Sequence, residues 1–255
     1  MNVEGRVAVV VGGASGMARA TAAAILARGG RVAILDLATS AGAEVARAFG
    51  NATTFHPCDV TDFAGTESAL NDAVEAHGGL HIAVNTAGGG VAERTVKKDG
   101  PHALESFQQT IALNLVGTFN LNRLQAWHMS RNEADVEGER GVIIDTASIA
   151  GFEGQIGQVA YSASKAGIVG MMLTMARDLG SLGIRVAAIA PSLFATGLTA
   201  GIPPEREATL TAGSAFPRRM GRPDEYARLA IGIIENPMIN GTTIRLDGGQ
   251  RFAAR

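Results

Sequence analysis

Short apolar runs alternate with helical segments along almost the whole chain, and this alternation limits the fold more than any other feature. The runs expected to be strands are residues 6–11, 31–35, 52–58, 81–84, 142–144, 184–190 and 242–246. Strands separated by helices form a parallel sheet, because each crossover passes over one of its faces. The sequence therefore predicts one α/β domain, residues 1–255, with a doubly wound parallel sheet and helices on both faces.

The composition fits a compact domain and excludes several functional classes. The chain has 255 residues, of which 46% are apolar and 18% charged, with a formal net charge of −2. This balance gives no general attraction to nucleic acid or to an anionic membrane surface. No apolar run reaches the roughly 18 residues that a membrane span needs. We therefore expect neither nucleic acid nor a membrane as a partner.

The single cysteine, Cys58, has no second cysteine for an internal disulfide and no Cys or His neighbours at metal-ligand spacing. We expect a reducing compartment and no metal site. The first residues enter a strand-like run without the basic region and long apolar segment of a signal peptide, or an arginine-rich presequence. The expected location is the cytoplasm.

A glycine-rich turn follows the first expected strand and leads into an alanine-rich helix. It contains Gly12, Ser15, Gly16 and Met17. Glycine lets the backbone approach a pyrophosphate closely, and the helix N-terminus offers it unpaired N–H groups. An ordinary strand-to-helix turn is the structural alternative.

Asp36 ends the second expected strand, twenty residues beyond Gly16. Dinucleotide-binding folds place their ribose-binding carboxylate at this spacing. A carboxylate there accepts hydrogen bonds from ribose hydroxyls and repels a 2′-phosphate, which favours NAD over NADP. The alternative is a surface aspartate that caps the next helix.

Two further strand ends carry residues suited to the same ligand. Asp59 and Val60 follow the third strand, where an adenine can pack, although Asp59 can also cap the helix expected at residues 62–76. The fourth strand is broken by Asn85, Thr86, Ala87, Gly88, Gly89 and Gly90. Ligands of open parallel sheets lie beyond the carboxyl ends of the strands. A flat cofactor lying across strands one and four therefore requires glycines after both.

Tyr161 and Lys165 form the candidate acid/base pair. They lie four residues apart on an expected helix and so share one of its faces. An adjacent ammonium favours the phenolate and moves the tyrosine pKa down toward the working range. Ser148, on the loop after the fifth strand, is close enough in sequence to hold a substrate oxygen at this site. Alone, such a pair is equally typical of an amphipathic tyrosine on a helix surface.

Asn114 interrupts the apolar middle of a long helix that is expected to begin at Ala103. A buried amide without partners costs about 1–3 kcal/mol. Asn114 must therefore bond to main chain or to an ordered water, and a purely structural role fits the pattern equally well.

Four segments outside the regular elements are polar. Residues 91–102, which include Lys97 and Lys98, predict an exposed insertion, and residues 131–141 predict a solvated loop at the sheet edge opposite Ser148. Residues 193–215 mix polar residues with prolines, which is typical of a lid over a ligand. The arginines at 218, 219 and 222 form either a solvated surface or a phosphate site.

Six motifs in order resemble those of the classical short-chain dehydrogenase/reductase family, and the resemblance covers the whole chain. They are GGASGM at 12–17, NTAG at 85–88, Asn114, Ser148, YSASK at 161–165 and PS at 191–192. The resemblance implies a Rossmann fold, an NAD-dependent enzyme and a homotetramer. A noncatalytic protein that keeps only the cofactor fold is the rival class. The presence of Tyr161, Lys165, Ser148 and Asn114 argues against it.

More narrowly, residues 141–171, 183–198 and 235–248 are similar to the type 2 3-hydroxyacyl-CoA dehydrogenases, also called type 10 17β-hydroxysteroid dehydrogenases. This similarity implies reversible NAD-dependent oxidation of a 3-hydroxyacyl-CoA to the 3-ketoacyl-CoA. Steroids, other secondary alcohols and 3-ketoacyl carrier-protein thioesters are the alternative substrates.

The family resemblance also implies a role for each motif residue. Tyr161 is the general base, Lys165 lowers its pKa and holds the nicotinamide ribose, Ser148 binds the substrate oxygen, and Asn114 holds a water in a proton relay. Phe194 and Thr196 are expected to close over the nicotinamide. The full set of implied cofactor contacts is Gly12, Ser15, Gly16, Met17, Asp36, Asp59, Val60, Asn85, Thr86, Ala87, Gly88, Tyr161, Lys165, Pro191, Phe194 and Thr196. Val11, Ala18 and Ser192 depart from the family pattern, and the alanine is a known variant of the dinucleotide fingerprint.

Overall fold

The computed structural model describes residues 1–199 and 201–254, apart from the side chain of Leu198. Its main sheet has seven parallel strands in the order β3-β2-β1-β4-β7-β8-β9. The strands are β1 (Val7–Val11), β2 (Arg31–Asp36), β3 (Thr53–Pro57), β4 (Ile82–Asn85), β7 (Gly141–Thr146), β8 (Ile184–Pro191) and β9 (Thr242–Leu246). The predicted doubly wound parallel sheet is confirmed.

The central strands are buried on both faces, which explains why they are continuous apolar runs rather than alternating ones. Every residue of β1, β4, β7 and β8 is buried. Strand order reverses between β1 and β4, so loops after these two strands diverge and leave a crevice at their carboxyl ends.

Helices cover both faces of the sheet. The helices are α1 (Gly16–Leu26), α2 (Gly42–Phe49), α3 (Phe63–His77), α4 (Leu104–Ile111), α5 (Gly117–Met129), α6 (Val159–Leu179), α7 (Pro204–Thr211) and α8 (Pro223–Glu235). Apolar side chains of α3, α5 and α6 form one core with the sheet, and those of α1, α2 and α8 form the other. Among the described residues, none of the helices combines the length and hydropathy that crossing a lipid bilayer requires.

The expected long helix after Ala103 is interrupted. A π-helical turn, Ala112–Val116, separates α4 from α5, and Asn114 lies in it, fully buried. Such π turns occur frequently at functional sites. The insertion at 91–102 contains a two-stranded hairpin of β5 (Val96–Lys97) and β6 (Gly100–Pro101), and the segment at 193–215 contains α7.

The expectation that residues 131–141 are wholly solvated is wrong for Glu139. This carboxylate is 8% exposed and accepts a hydrogen bond of 2.8 Å from Nε of Arg185. Arg185 is itself buried and also donates to the main-chain carbonyls of Ile233 and Ile234. A buried charge pair is tolerated when the remaining donors are satisfied in this way. The pair lies where β7 and β8 begin, at the sheet edge opposite Ser148.

Candidate active site

A cleft of about 460 Å³ lies beyond the carboxyl ends of β1, β2 and β4. Most of the residues predicted to contact a cofactor line it, together with Cys58 and Leu113. The predicted residues in its lining are Gly12, Ser15, Gly16, Met17, Asp36, Asp59, Val60, Thr86, Ala87, Gly88 and Thr196. The carboxyl ends of these strands therefore bring together residues that are far apart in the chain.

Two glycines give the turn after β1 its shape. Gly12 has φ +80°, and a Cβ there would lie 2.7 Å from Oγ1 of Thr86. Gly16 has φ +54°, and its Cβ would lie 3.1 Å from the Thr196 side chain. Both positions need a residue that accepts a left-handed conformation and close neighbours, which only glycine does without strain. The turn thus brings the start of α1 into the cleft.

The N-terminus of α1 is suited to an anion. Ser15 occupies the N-cap position, but its side chain makes no capping hydrogen bond within the described chain. The N–H groups of the first turn therefore keep their donors directed out of the helix, with the positive end of the helix dipole behind them. This end of the cleft fits a phosphate or pyrophosphate.

Asp36 is fixed at the far end of the cleft by main-chain donors. Its Oδ2 accepts from the N–H of Ala14 at 3.0 Å and its Oδ1 from the N–H of Leu37 at 2.8 Å. Each carboxylate oxygen retains a second lone pair that can accept a hydroxyl hydrogen. The orientation of the carboxylate is thus set before any ligand arrives.

Asp59 does not cap the following helix, and the capping alternative for it is wrong. The helix begins at Phe63, so the N-cap is Asp62, whose Oδ1 accepts from the N–H of Gly65 at 3.0 Å. Asp59 instead accepts from the N–H and the hydroxyl of Thr61 at 2.9 and 2.7 Å, and these hydrogen bonds lower its pKa.

Five predicted cofactor contacts lie outside the lining of the cleft. Tyr161 and Lys165 belong to the adjoining site at the start of α6, and the other three are Asn85, Pro191 and Phe194. Asn85 is buried, and its Nδ2 donates to the side chains of Asn122 and Asp145. Pro191 is buried at the end of β8. Phe194 is 6% exposed and lines a separate cavity of about 310 Å³, where its ring packs against Gly221. Asn85 and Phe194 thus contribute to packing in this structure.

Tyr161, Ser148 and Lys165 meet at the start of α6. A short 3-10 turn, Ile149–Gly151, follows Ser148 and packs tightly on this helix, because a Cβ at Gly151 would lie only 2.9 Å from the main chain of Lys165. The Ser148 hydroxyl interacts with the phenol of Tyr161. Nζ of Lys165 lies 5.7 Å from the centre of the phenol ring. The structure therefore places all three side chains together.

The pKa of Tyr161 is raised, because burial disfavours the phenolate, and the interaction with Ser148 offsets this only in part. The neighbouring lysine predicts a lowered pKa, so the shift of the Tyr161 pKa is opposite to the predicted one. The ammonium of Lys165 makes its hydrogen bond to the main-chain carbonyl of Thr146 at 2.7 Å. Burial lowers the pKa of Lys165 to about 8, although the attraction of Asp145 partly opposes this change.

Asn114 is bonded to main chain and to a neighbouring hydroxyl. Its Nδ2 donates to the carbonyl of Gly89 at 2.7 Å and to Oγ of Ser164 at 3.1 Å, and its Oδ1 accepts from the N–H of Gly89 at 2.9 Å. A Cβ at Gly88 would lie 2.7 Å from Oδ1 of Asn114 and 3.3 Å from Nζ of Lys165. Asn114 therefore fixes the glycine loop after β4 directly over Lys165.

A buried polar group that the sequence patterns did not predict lies below this site. Asp145, Asn122 and Gln125 are fully buried and are joined to one another through Asn85. The visible signal was the carboxylate of Asp145 directly after the apolar run Val142–Ile144, since a charge beside a buried strand requires partners.

The basic cluster near residue 220 is largely paired with carboxylates. Arg219 binds Glu225 through two hydrogen bonds of 2.8 and 2.7 Å, and the N–H of Arg222 donates to the same carboxylate. The Arg222 guanidinium also pairs with Asp224 at 3.4 Å. These ion pairs favour the surface alternative over a phosphate site.

A family model described as short chain dehydrogenase matches residues 6–207. The chain belongs to the short-chain dehydrogenase family. The family and the fold that the sequence motifs implied are thus confirmed, and family membership makes the protein an oxidoreductase.

Among curated relatives of this short-chain dehydrogenase, 3-hydroxyacyl-CoA dehydrogenase type-2 from Homo sapiens is 50% identical over 253 residues, covering 98% of this chain and 97% of the relative. The enzyme of the same name from Drosophila melanogaster is 47% identical over 252 residues, covering 98% and 99%. The narrower resemblance drawn from the sequence is therefore confirmed.

Two solved structures share the fold over nearly the full chain. The crystal structure of 3-hydroxyacyl-CoA dehydrogenase type-2 from Mycobacterium avium has a TM-score of 0.94 and 43% identity, covering 98% of both chains. A 7α-hydroxysteroid dehydrogenase complexed with NADH and 7-oxo glycochenodeoxycholic acid has a TM-score of 0.86 and 27% identity, covering 98% of this chain and 96% of that one.

Proposed function

We propose that this protein is an NAD-dependent dehydrogenase that interconverts 3-hydroxyacyl-CoA and 3-ketoacyl-CoA. The observation that carries the proposal is 50% identity, over 98% of the chain, to an enzyme named for that activity. The cleft and the adjoining Tyr161 site are consistent with it, because they offer a nucleotide crevice beside a proton donor.

The residues present fit a dinucleotide. The α1 N-terminus would hold the pyrophosphate, Asp36 the adenosine ribose, and Asp59 with Val60 the adenine, while Thr86, Ala87, Gly88 and Thr196 would line the path toward Lys165. The Asp36 carboxylate repels a 2′-phosphate, which supports NAD rather than NADP. When bound, the nicotinamide supplies hydride donor and acceptor chemistry.

The chain's own residues then manage one proton and one oxygen atom. Ser148 would hold the substrate oxygen, and Tyr161 would receive the proton of the alcohol or return it to the ketone. Lys165 would hold the nicotinamide ribose and stabilise the phenolate by its charge. Asn114 is a positioning residue in this scheme, because it holds the loop at Gly88 over Lys165 and can order a water beside it.

The raised pKa of Tyr161 bears on the two directions of the reaction, reduction and oxidation. Below its pKa the phenol is protonated and can act as the acid that ketone reduction needs. Oxidation requires the phenolate, which becomes more abundant as pH rises.

A cavity of about 260 Å³ beside Tyr161 is the proposed substrate site. It is lined by Gly89, Gly90, Val91, Ala92, Gln158 and Tyr161. Gln158 also lines a neighbouring cavity of about 520 Å³ that reaches Arg94 and Thr95. A substrate longer than a simple alcohol therefore has room to extend away from the reacting atoms.

We also propose a homotetramer. Large apolar side chains remain exposed on α5 and α6, where Phe119 is 50% exposed, Trp127 58% and Leu173 51%. Such patches on a monomer are typical of surfaces that pair with another subunit. Sedimentation velocity on the purified protein tests this, and a monomer at micromolar concentration would contradict it.

The activity is tested by parallel turnover assays. We expect NADH-dependent reduction of acetoacetyl-CoA at a kcat/KM well above that for a steroid ketone, and a preference for NADH over NADPH. The similarity to a 7α-hydroxysteroid dehydrogenase makes steroids the second candidate substrate class. Turnover of the steroid without turnover of the thioester would reject the leading proposal.

A further inference from the structure

Asp145 is a buried carboxylate held by amides. Its side chain has no solvent exposure, its Oδ1 accepts from Nδ2 of Asn85 at 2.9 Å, and its Oδ2 accepts from Nδ2 of Asn122 at 2.7 Å. Gln125 braces Asn85 through two further hydrogen bonds of 3.0 and 2.8 Å. Amide donors of this kind stabilise the charged form of a carboxylate and fix its position.

The second group in this region is the buried cation Lys165. Its side chain comes from α6, is 3% exposed, and donates to the carbonyl of Thr146, the residue that follows Asp145 on β7. Burial raises the pKa of Asp145 to about 6 and lowers that of Lys165 to about 8, and the attraction between the carboxylate and the ammonium partly offsets both shifts. A buried charge without an opposite charge nearby destabilises the folded protein far more than a paired one does.

The other titratable groups facing the pair are phenols. Tyr161 lies beside Lys165 on α6, and the hydroxyl of Tyr226 on α8 lies 2.7 Å from Oγ1 of Thr146. The side chains that β4 and α5 direct at Asp145 are amides. At neutral pH the described part of the chain thus offers Lys165 one negative partner in its buried surroundings.

We propose that Asp145 is a positioning residue whose buried carboxylate keeps Lys165 in the ammonium form beside Tyr161. The inference rests on the proposed function, in which that ammonium stabilises the Tyr161 phenolate. Asp145 touches neither substrate nor cofactor in this scheme, and it acts only through Lys165.

The charge state of Lys165 can be observed directly, because the chain contains only three lysines, Lys97, Lys98 and Lys165. In protein labelled with 13Cε-lysine, the double variant Lys97→Arg with Lys98→Arg leaves a single signal to titrate. We expect the midpoint of that signal to fall by about one pH unit when Asp145→Asn is added, because a neighbouring opposite charge is lost. An unchanged midpoint would overturn the proposal.

A matched control uses the same substitution on the surface of the same helix. Asp178 is exposed on α6, so Asp178→Asn should leave the Lys165 midpoint unchanged; an equal shift in that variant would show that any lost charge suffices and would reject a specific role. If Asp145→Asn does not fold, the protein with native Asp145 still decides. Its Lys165 signal should then show a small step as Asp145 ionises and a large step at higher pH, and a single step would contradict the coupling.

Turnover separates this inference from the proposed function. At pH 8.5 the Asp145→Asn variant should reduce acetoacetyl-CoA about tenfold more slowly than the native protein, as a one-unit fall in the Lys165 midpoint implies. Near pH 6.5 the two rates should agree, and the same loss at both pH values would indicate a purely structural role. If the native protein does not turn over acetoacetyl-CoA, the proposed function fails, whereas the lysine titration still tests Asp145.

Discussion

The nucleotide end and the proton-transfer end of the candidate site are built in different ways. The nucleotide end consists mostly of main chain, with Gly12, Gly16 and an aspartate held by N–H groups of adjacent loops. The proton-transfer end consists of buried side chains, with Lys165 and Asn114 held by partners from other elements. The nucleotide end depends on backbone shape and the proton-transfer end on charge and hydrogen bonding. Substitutions at the two ends should therefore have different effects on activity.

The largest effect is expected at Tyr161. Tyr161→Phe removes the hydroxyl that transfers the proton and should lower kcat by two or more decades, in line with general acid–base catalysis. NADH affinity, measured by fluorescence titration, should change little because the ring remains. Undiminished turnover in this variant would remove Tyr161 from the mechanism.

The next effect concerns the loop that joins the two ends. In Gly88→Ala the new methyl group would lie 2.7 Å from Oδ1 of Asn114 and 3.3 Å from Nζ of Lys165, so the loop or the lysine must shift. We expect kcat to fall by roughly tenfold to a hundredfold, as misplacement of catalytic groups does. The control is Gly232→Ala on the exposed face of α8, where the methyl group meets no described atom within 4 Å. Equal losses in both variants would show that the contact with Asn114 and Lys165 is not the cause.

A smaller change is expected at Asp36. Asp36→Asn removes the charge that accepts ribose hydroxyls and repels a 2′-phosphate, so the KM for NAD should rise by about tenfold, equivalent to about 1.4 kcal/mol. The preference for NAD over NADP should narrow, with kcat little changed. A loss of kcat at constant KM would place Asp36 at the wrong end of the site.

The smallest effect provides a baseline outside both ends. Asp62→Ala removes the N-cap of α3 and should lower the free energy of unfolding by about 1 kcal/mol. Urea denaturation measures this change. Since Asp62 lines neither the cleft nor the Tyr161 cavity, steady-state kinetics at 25 °C should match the native protein, and a kinetic defect would show that the site is sensitive to remote loss of stability.

The difference between the two ends also explains what the sequence could predict. The spacing from Gly16 to Asp36 is local, because it is set by one helix and the strand that follows it. The sequence pattern was therefore sufficient to predict the nucleotide end of the site. The bounds of β9 were likewise predicted, at residues 242–246. This strand depends on apolar residues and turn residues within a short stretch.

Other features depend on contacts between distant segments and could not be predicted. The position of Asn85 inside the sheet is set by Asn122 and Asp145, and the position of Phe194 by its packing against Gly221. The π turn at Asn114 and the raised pKa of Tyr161 follow from burial in the assembled fold. Spacing along the chain identified these residues without revealing what surrounds them.

The most direct test of the account is a structure of the ternary complex with NADH and acetoacetyl-CoA. We predict that the adenosine ribose binds Asp36 and that the ketone oxygen lies within about 2.6–3.2 Å of the hydroxyls of Tyr161 and Ser148. A nucleotide bound outside the cleft, or a ketone oxygen out of reach of Tyr161, would contradict it.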